Sequence, residues 1–246
     1  MTANLWTKGV AGPQHRAALL CIPHIAAGAS AFAAFRRAAP PWLRCGAVRF
    51  SGRETRLLEE CTTDPENYVG DIIDAGERLA EGSPLALLGQ CSGVSLAMAA
   101  AERLCERVRV FAIVAVNAPA PTARPIVIDP AMTDNQLLRW FVRAGEFSAE
   151  LLDDAEMMEL LVPVVRADAL ALSRLSPPTA PSDLPIFVVR GADDPLLTAE
   201  HLADWSVWSP RVETETIPGG HLLAVDSVSA LWEKTARFLE DRLSAL

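Results

Sequence analysis

One five-residue segment of this chain has the spacing of a catalytic nucleophile. Residues 89–93 read Gly-Gln-Cys-Ser-Gly; an apolar run ends just before them at Leu88, and a helical pattern begins at Gly93. Glycines two positions before and after a nucleophile allow a sharp strand-to-helix turn, because strand and helix can then approach closely. Such a turn places the Cys91 sulfur at a helix N-terminus, where the helix dipole favours the thiolate. The segment therefore predicts that Cys91 is a nucleophile.

Two other interpretations of this segment stay open. Ser92 is the alternative nucleophile, but it would need glycines at the positions that Gln90 and Val94 hold. Cys91 is alternatively an inert side chain, since free cysteines are often buried as small hydrophobic residues.

An acid and a histidine follow Cys91 in the chain order expected of such a site. Gly-Ala-Asp-Asp at 191–194 follows one apolar run, and Pro-Gly-Gly-His at 218–221 follows another. The Gly-x-x-Asp spacing selects Asp194 to orient the histidine, whereas Asp193 is better suited to capping the next segment. Two glycines allow the loop to turn the His221 imidazole toward Cys91. We therefore predict that His221 is the general base; the alternative is a loop histidine without a role.

Short apolar runs alternate with longer helical patterns along the chain. Runs without polar alternation suit strands buried on both faces of a parallel sheet, and the helices between them then cover both faces. The sequence predicts an α/β fold with a mostly parallel central sheet. The predicted strands lie at 17–22, 46–50, 84–88, 108–116, 185–190 and 211–217, the last nearer an edge because it alternates. The predicted helices lie at 65–81, 93–107, 198–207 and 228–243.

Residues 120–180 interrupt this alternation. Prolines open and close the stretch, and helical patterns fill it at 134–144, 149–154 and 155–173. We predict a single domain over 1–246 in which residues 120–180 form a helical lid over the carboxyl edge of the sheet. The alternative is a set of ordinary crossover helices. Apolar side chains in this stretch either line a channel or pack the helices onto the sheet.

Composition and charge exclude several classes of protein. The 246 residues are 50% hydrophobic and carry a net charge of −9. The apolar content excludes a disordered chain, and the acidic balance argues against a nucleic-acid partner. The uncharged stretch at 17–35 has a proline in its middle that would break a helix, so we expect no membrane span. Five cysteines without a CxxC pair predict neither a disulfide framework nor a zinc site, and they fit the cytoplasm.

The loop after the first predicted strand is another candidate part of the site. It reads Cys-Ile-Pro-His-Ile-Ala-Ala-Gly over 21–28. A loop in this place can direct a backbone N–H at a developing oxyanion, and the N–H of Ser92, directly after Cys91, is the second donor. We interpret His24 as a structural residue of this loop rather than as a second base.

From about residue 19 to residue 240, the chain resembles the type II thioesterases of polyketide and nonribosomal-peptide assembly lines, which have the α/β-hydrolase fold. The shared motifs lie at 21–28, 52–56, 89–93, 161–168, 191–195 and 218–221. The resemblance implies a triad of Cys91, His221 and Asp194, with the backbone N–H groups of Ile25 and Ser92 as oxyanion donors.

The resemblance also implies a substrate and a partner. The usual substrate of the family is an acyl chain on the phosphopantetheine arm of an acyl- or peptidyl-carrier protein. The sequence contains no metal-ligand cluster and no nucleotide-binding loop, so we expect neither a metal nor a cofactor. We expect a monomer.

The chain departs from the family pattern at five positions. The family turn is usually Gly-His-Ser-Met-Gly, whereas here Cys91 replaces the serine and is flanked by Gln90 and Ser92. Ala26 and Ala27 stand where the family has glycines. A cysteine nucleophile forms another thioester, so the acyl group keeps its transfer potential. The foremost predicted function is hydrolysis of carrier-bound thioesters; acyl transfer between carriers and non-catalytic carrier binding are the alternatives.

Overall fold

A central β-sheet organises the protein. The structure is a computed structural model that describes residues 4–7, 15–121, 129, 131–143, 147–178 and 180–246. These residues form a seven-stranded sheet in the order β1-β3-β2-β4-β5-β6-β7, parallel except for β1, which pairs antiparallel with β3. The strands are β1 (Leu5–Thr7), β2 (Ala17–Ile22), β3 (Leu43–Val48), β4 (Leu85–Gln90), β5 (Val110–Val116), β6 (Ile186–Gly191) and β7 (Val212–Ile217).

Eight α-helices lie within the described ranges. They are α1 (Ala33–Arg37), α2 (Pro65–Ala80), α3 (Gly93–Cys105), α4 (Asp134–Arg143), α5 (Ala155–Arg174), α6 (Glu200–Ala203), α7 (Leu223–Asp226) and α8 (Val228–Ser244). Helices α2 and α3 pack on one face of the sheet, and α1, α7 and α8 pack on the other. Side chains of β2 alternate between these two cores, which explains why this strand is apolar at every position.

The predicted mostly parallel α/β fold is confirmed by this sheet and its covering helices. Most strand bounds differ from the prediction by a few residues, because turns and hydrogen-bond registers are not readable from apolar runs. The alternating segment at 211–217 forms β7 at one edge of the sheet, in agreement with the predicted position nearer an edge. The antiparallel strand β1 was not predicted; it has only three residues, too few for a recognisable period.

Helices α4 and α5 form an insertion between β5 and β6, within the predicted lid stretch. A 3₁₀ turn at Ala149–Asp153 lies between them. Leu137, Leu138 and Phe141 of α4 are fully buried, so these three side chains pack rather than line an open channel. Residues 122–128, 130, 144–146 and 179 of the predicted lid lie outside the described residues. A lid function of the insertion stays a prediction.

Among the described residues, no helix has both the length and the apolar character needed to cross a lipid bilayer.

Candidate active site

Cys91 lies in a sharp turn between β4 and α3. Its φ is +50°, a left-handed conformation that non-glycine residues rarely adopt. The Cys91 N–H donates to the carbonyl of Val116 at the end of β5 (2.8 Å), and the Cys91 carbonyl accepts from the N–H of Val94 (3.0 Å). Only 5% of the residue is exposed. Strained backbone of this kind is concentrated at functional sites, where the surrounding structure has to hold it.

The glycines on either side of Cys91 allow this turn for steric reasons. A Cβ on Gly89 would lie 2.5 Å from the backbone N and Cα of Val94, inside any permitted contact. A Cβ on Gly93 would collide with the carbonyl oxygen of Ile22 at the end of β2. The G-x-C-x-G spacing is therefore required by the close approach of α3 to β4 and β2.

Asp194 and His221 are joined by a buried hydrogen bond. His221 Nδ1 lies 2.8 Å from Asp194 Oδ2, and the two side chains are 1% and 0% exposed. The second oxygen, Oδ1, accepts from the N–H of Leu196 (2.8 Å), which fixes the carboxylate plane. Asp193 is exposed and contacts the histidine loop through its backbone N–H, which donates to the carbonyl of Gly219 (3.0 Å). Of the two aspartates, the structure therefore brings Asp194 to His221.

Asn117, just after β5, aligns the acid loop with the histidine loop. Its side-chain Nδ2 donates to the carbonyls of Gly220 (2.9 Å) and His221 (2.7 Å), and its Oδ1 accepts from the N–H of Gly191 (2.7 Å). Its φ of +47° is one that asparagine tolerates better than most residues. The sequence prediction missed this residue; an asparagine directly after a buried strand was the available signal.

Gln90 connects the Cys91 turn to helix α7, just after His221, and to the loop at 21–28. Its Oε1 accepts from the N–H of Ala224 (3.1 Å), so its Nε2 is the atom that lies 3.4 Å from His24 Nδ1. That nitrogen of His24 must then accept, which places the ring proton on Nε2. Burial, followed by the nearby His221, lowers the pKa of His24 to about 3. His24 is neutral in this environment, and its Nδ1 is engaged by Gln90. Its interpretation as a structural residue stays a prediction.

Ile25, the predicted oxyanion donor, already has a hydrogen-bond acceptor in this structure. Its N–H donates to Ser92 Oγ at 2.8 Å. The two residues predicted to form the oxyanion hole are therefore neighbours, but the hydroxyl of one occupies the N–H of the other. The sequence did not predict this contact, which depends on the serine that replaces the family methionine.

The described residues contain no group of three or more His, Cys, Asp or Glu side chains arranged to hold a metal ion. The structure places Cys91, Asp194 and His221 at or just beyond the carboxyl ends of β4, β6 and β7, and it joins the last two by a hydrogen bond. The roles of nucleophile, base and orienting acid stay a prediction.

Comparison with known proteins identifies relatives of the whole chain. The thioesterase domain family matches residues 17–243. The chain is 27% identical over 246 residues to the thioesterase PikA5 of Streptomyces venezuelae, covering 98% of this chain and 86% of that protein. It is 30% identical over 245 residues to the AMB antimetabolite synthetase AmbE of Pseudomonas aeruginosa, covering 98% of this chain but only 11% of that protein's length.

Solved structures share the fold. The type II thioesterase YbtT of the yersiniabactin pathway superimposes with a TM-score of 0.84 at 19% identity, covering 96% of this chain and 97% of YbtT. The thioesterase RedJ of the prodiginine pathway in Streptomyces coelicolor gives a TM-score of 0.78 at 24% identity, covering 91% and 95% of the two chains. The family match covers nearly the whole chain from β2 to α8, and this protein therefore belongs to the thioesterase domain family.

Proposed function

We propose that this protein cleaves acyl thioesters on the phosphopantetheine arm of carrier proteins through an acyl-Cys91 intermediate. The observation that carries the proposal is the strained Cys91 turn together with the buried His221–Asp194 pair. Family membership supports thioester chemistry, and the G-x-C-x-G spacing at 89–93 supports Cys91 as the nucleophile.

In the first half-reaction, His221 takes the thiol proton of Cys91, and the sulfur attacks the thioester carbonyl. The backbone N–H groups of Ser92 and Ile25 stabilise the resulting oxyanion. The tetrahedral intermediate collapses, the carrier thiolate leaves, and His221 returns the proton to it. Asp194 holds the imidazole in the tautomer that allows these transfers.

In the second half-reaction, water replaces the carrier thiol. His221 takes a proton from water as the water attacks the acyl-Cys91 carbonyl, and the Cys91 sulfur leaves and recovers that proton. The products are a free acid and the starting enzyme.

The relatives support a substrate held on a carrier protein. PikA5 is a thioesterase, and YbtT is a type II thioesterase from an NRPS/PKS biosynthetic pathway. We extend this setting to the present chain, which has the same fold. The described cysteines form no disulfide with one another, which supports activity in a reducing cytoplasm. A single chain contains every proposed catalytic group.

The cysteine itself favours a second candidate function, acyl transfer between carriers. Attack by Cys91 exchanges one thioester for another, so the step is nearly isoenergetic and the acyl group can move on to a second carrier thiol. A serine nucleophile would form an oxygen ester, from which return to a thiol is uphill.

The test is mass spectrometry of the protein mixed with an acyl-carrier substrate. Hydrolysis predicts rapid free acid, and transfer predicts an acyl adduct that moves to a second carrier. Cys91→Ala should abolish the adduct without unfolding the protein. An adduct on Ser92 in that variant would contradict the proposed nucleophile, and absence of both adduct and free acid in the wild type would indicate a non-catalytic carrier-binding protein.

The variant Cys91→Ser separates the two enzymatic functions. If transfer is the function, the serine variant should lower the ratio of transferred to hydrolysed acyl groups, because its oxygen ester has lost the transfer potential. An unchanged ratio would leave hydrolysis as the function.

A further inference from the structure

A buried carboxylate on α5 receives four hydrogen bonds, one of them from the loop at 21–28, which contains the predicted oxyanion donor Ile25 and is called the oxyanion loop. Asp168 accepts from Arg53 Nη2 (2.6 Å) and Nη1 (2.9 Å), from the Tyr68 hydroxyl (2.5 Å) and from the N–H of Ala26 (2.7 Å). The side chains of Asp168 and Arg53 are only 4% and 7% exposed. We call Asp168, Arg53, Tyr68 and the Ala26 N–H the Asp168 cluster.

The cluster holds the oxyanion loop at two consecutive residues. Asp168 Oδ2 binds the N–H of Ala26, and Arg53 Nη1 donates to the carbonyl of Ala27 (3.1 Å). Ala26 has a φ of +61°, which an alanine adopts only where neighbouring contacts hold it. Ala26 directly follows Ile25, so the orientation of the Ile25 N–H depends on this held conformation.

Apolar packing connects the same two segments. Ile25 is 6% exposed and forms a buried cluster with Leu137 and Phe141 of α4 and with Val165 of α5. Val165 lies one helical turn before Asp168. The insertion helices therefore contact the oxyanion loop through both a polar cluster and an apolar one.

We infer that Asp168 is a positioning residue: from helix α5 it holds Ala26 in its left-handed conformation and so fixes the direction of the Ile25 N–H, which binds the oxyanion once its hydrogen bond to Ser92 Oγ breaks. The oxyanion hole is then complete only while α5 is seated against the loop. This inference rests on the proposed function and adds to it that the β5–β6 insertion is part of the catalytic apparatus.

A purely structural ion pair would need only the bidentate Arg53–Asp168 contact. The Asp168 cluster has additional contacts, because Asp168 and Arg53 also bind backbone atoms of the loop that contains the predicted oxyanion donor. Burial together with the Asp168 carboxylate raises the pKa of Tyr68 well above its usual range, so its hydroxyl remains a donor to Asp168.

The test compares two reactions of Cys91. Acylation by a phosphopantetheine thioester passes through an oxyanion, whereas alkylation by iodoacetamide does not. Rates at Cys91 are read separately from those at the other four cysteines by peptide mass spectrometry. In Asp168→Asn, acylation should fall about tenfold or more relative to alkylation, since deleting one oxyanion donor costs about 10²–10³-fold and here the donor is displaced rather than deleted.

A second variant separates positioning from stability, because Asp168→Asn leaves the buried Arg53 without its charge partner. Arg53→Met combined with Asp168→Leu removes both charges and should fold, yet the Ala26 N–H still loses its acceptor. The acylation deficit should persist in this double variant. A stable double variant with the wild-type ratio of acylation to alkylation would overturn the inference.

The matched control is another ion pair of α5. Arg166 binds Asp134 (2.8 Å) within the insertion and does not reach the loop, so Asp134→Asn should leave the ratio unchanged. An equal loss in this control would also overturn the inference. If the wild type forms no acyl adduct on Cys91, the proposed function itself fails; if the adduct forms and only the Asp168→Asn deficit is missing, the inference alone fails.

Discussion

At the scale of single residues, the side chain next to the proposed nucleophile has the clearest effect on the predicted oxyanion donors. Ser92 stands where the resembled family usually has methionine. Its short side chain places a hydroxyl oxygen within reach of the Ile25 N–H, which it accepts. For Ile25 to bind an oxyanion directly, this hydrogen bond has to break. A neutral hydrogen bond contributes a net of about 1 kcal/mol, so the hydroxyl opposes acylation by about that amount.

Ser92→Ala should therefore raise the rate of Cys91 acylation by about fivefold, the equivalent of about 1 kcal/mol. The rate is measured by stopped-flow release of a carrier-like thiol. Ser92→Thr keeps the hydroxyl and should stay close to the wild type. A slower Ser92→Ala variant would show instead that the Ser92 hydroxyl itself donates to the oxyanion.

The second residue-scale prediction concerns His24 and pH. The pKa of His24 is lowered from 6.5 to about 3 in the folded protein, chiefly by burial. Between these values the unfolded chain binds a proton that the folded protein does not, so stability falls as pH decreases from about 6.5. The contribution is about 1.4 kcal/mol per pH unit.

His24→Gln should remove this contribution. Urea unfolding between pH 4 and 8 should give a free energy of unfolding that decreases less steeply below pH 6.5 in the variant than in the wild type. Above pH 7 the free energies of unfolding of the wild type and the variant should change with pH in parallel. Equal slopes between pH 4 and 6 would contradict a neutral, buried His24.

At the scale of elements, the 89–93 turn depends on contacts among three segments. Strand β4 ends at Gln90, helix α3 begins at Gly93, and the carbonyl of Ile22 at the end of β2 lies against Gly93. The turn therefore has no room for a side chain at its second glycine, although a glycine in a helix is normally a weakness.

Gly93→Ala should destabilise the protein by about 2–3 kcal/mol, since the added methyl group meets backbone that cannot move independently. Gly70 in α2 is the matched control, because a Cβ there meets nothing within 4 Å. Gly70→Ala should stabilise the protein by about 0.5–1 kcal/mol through lower chain entropy. Thermal unfolding of both variants checks this; a tolerated Gly93→Ala would contradict the described turn.

At the scale of the whole molecule, the most completely buried strands lie in the middle of the sheet. Strands β2, β4 and β5 each have a strand on both sides and helices on both faces, and all their residues are buried. Strand β7 is paired on one side only, and three of its six residues, Glu213, Thr214 and Thr216, are exposed.

Hydrogen exchange should follow this gradient. Amides of β2, β4 and β5 should exchange only through global unfolding, whereas amides of β1 and β7 should exchange through smaller openings. Exchange followed by mass spectrometry at increasing denaturant measures both classes. Equal protection of β7 and β4 would mean that something covers the β7 edge in solution.

Much of this molecule was predictable from local patterns. Five of the six parallel strands follow from apolar runs, and β7 follows from its alternation. Helices α2 to α5 and α8 follow from helical periods, whereas α1 and α7 are too short to show one. The candidate residues Cys91, Asp194 and His221 follow from short spacings beside those runs. Such features depend on residues within a few positions of one another, so they can be predicted from the local sequence.

The sequence by itself determined the α/β class, the strand-to-helix turn around Cys91 and the order of the candidate residues. Only the tertiary structure decided that Ser92 Oγ takes the Ile25 N–H and that Asp168 binds the oxyanion loop. These partners are separated by 67 and 142 positions along the chain. Which acceptor an N–H meets at such sequence separations depends on how helices and loops pack across the end of the sheet. That packing cannot be predicted from local spacing.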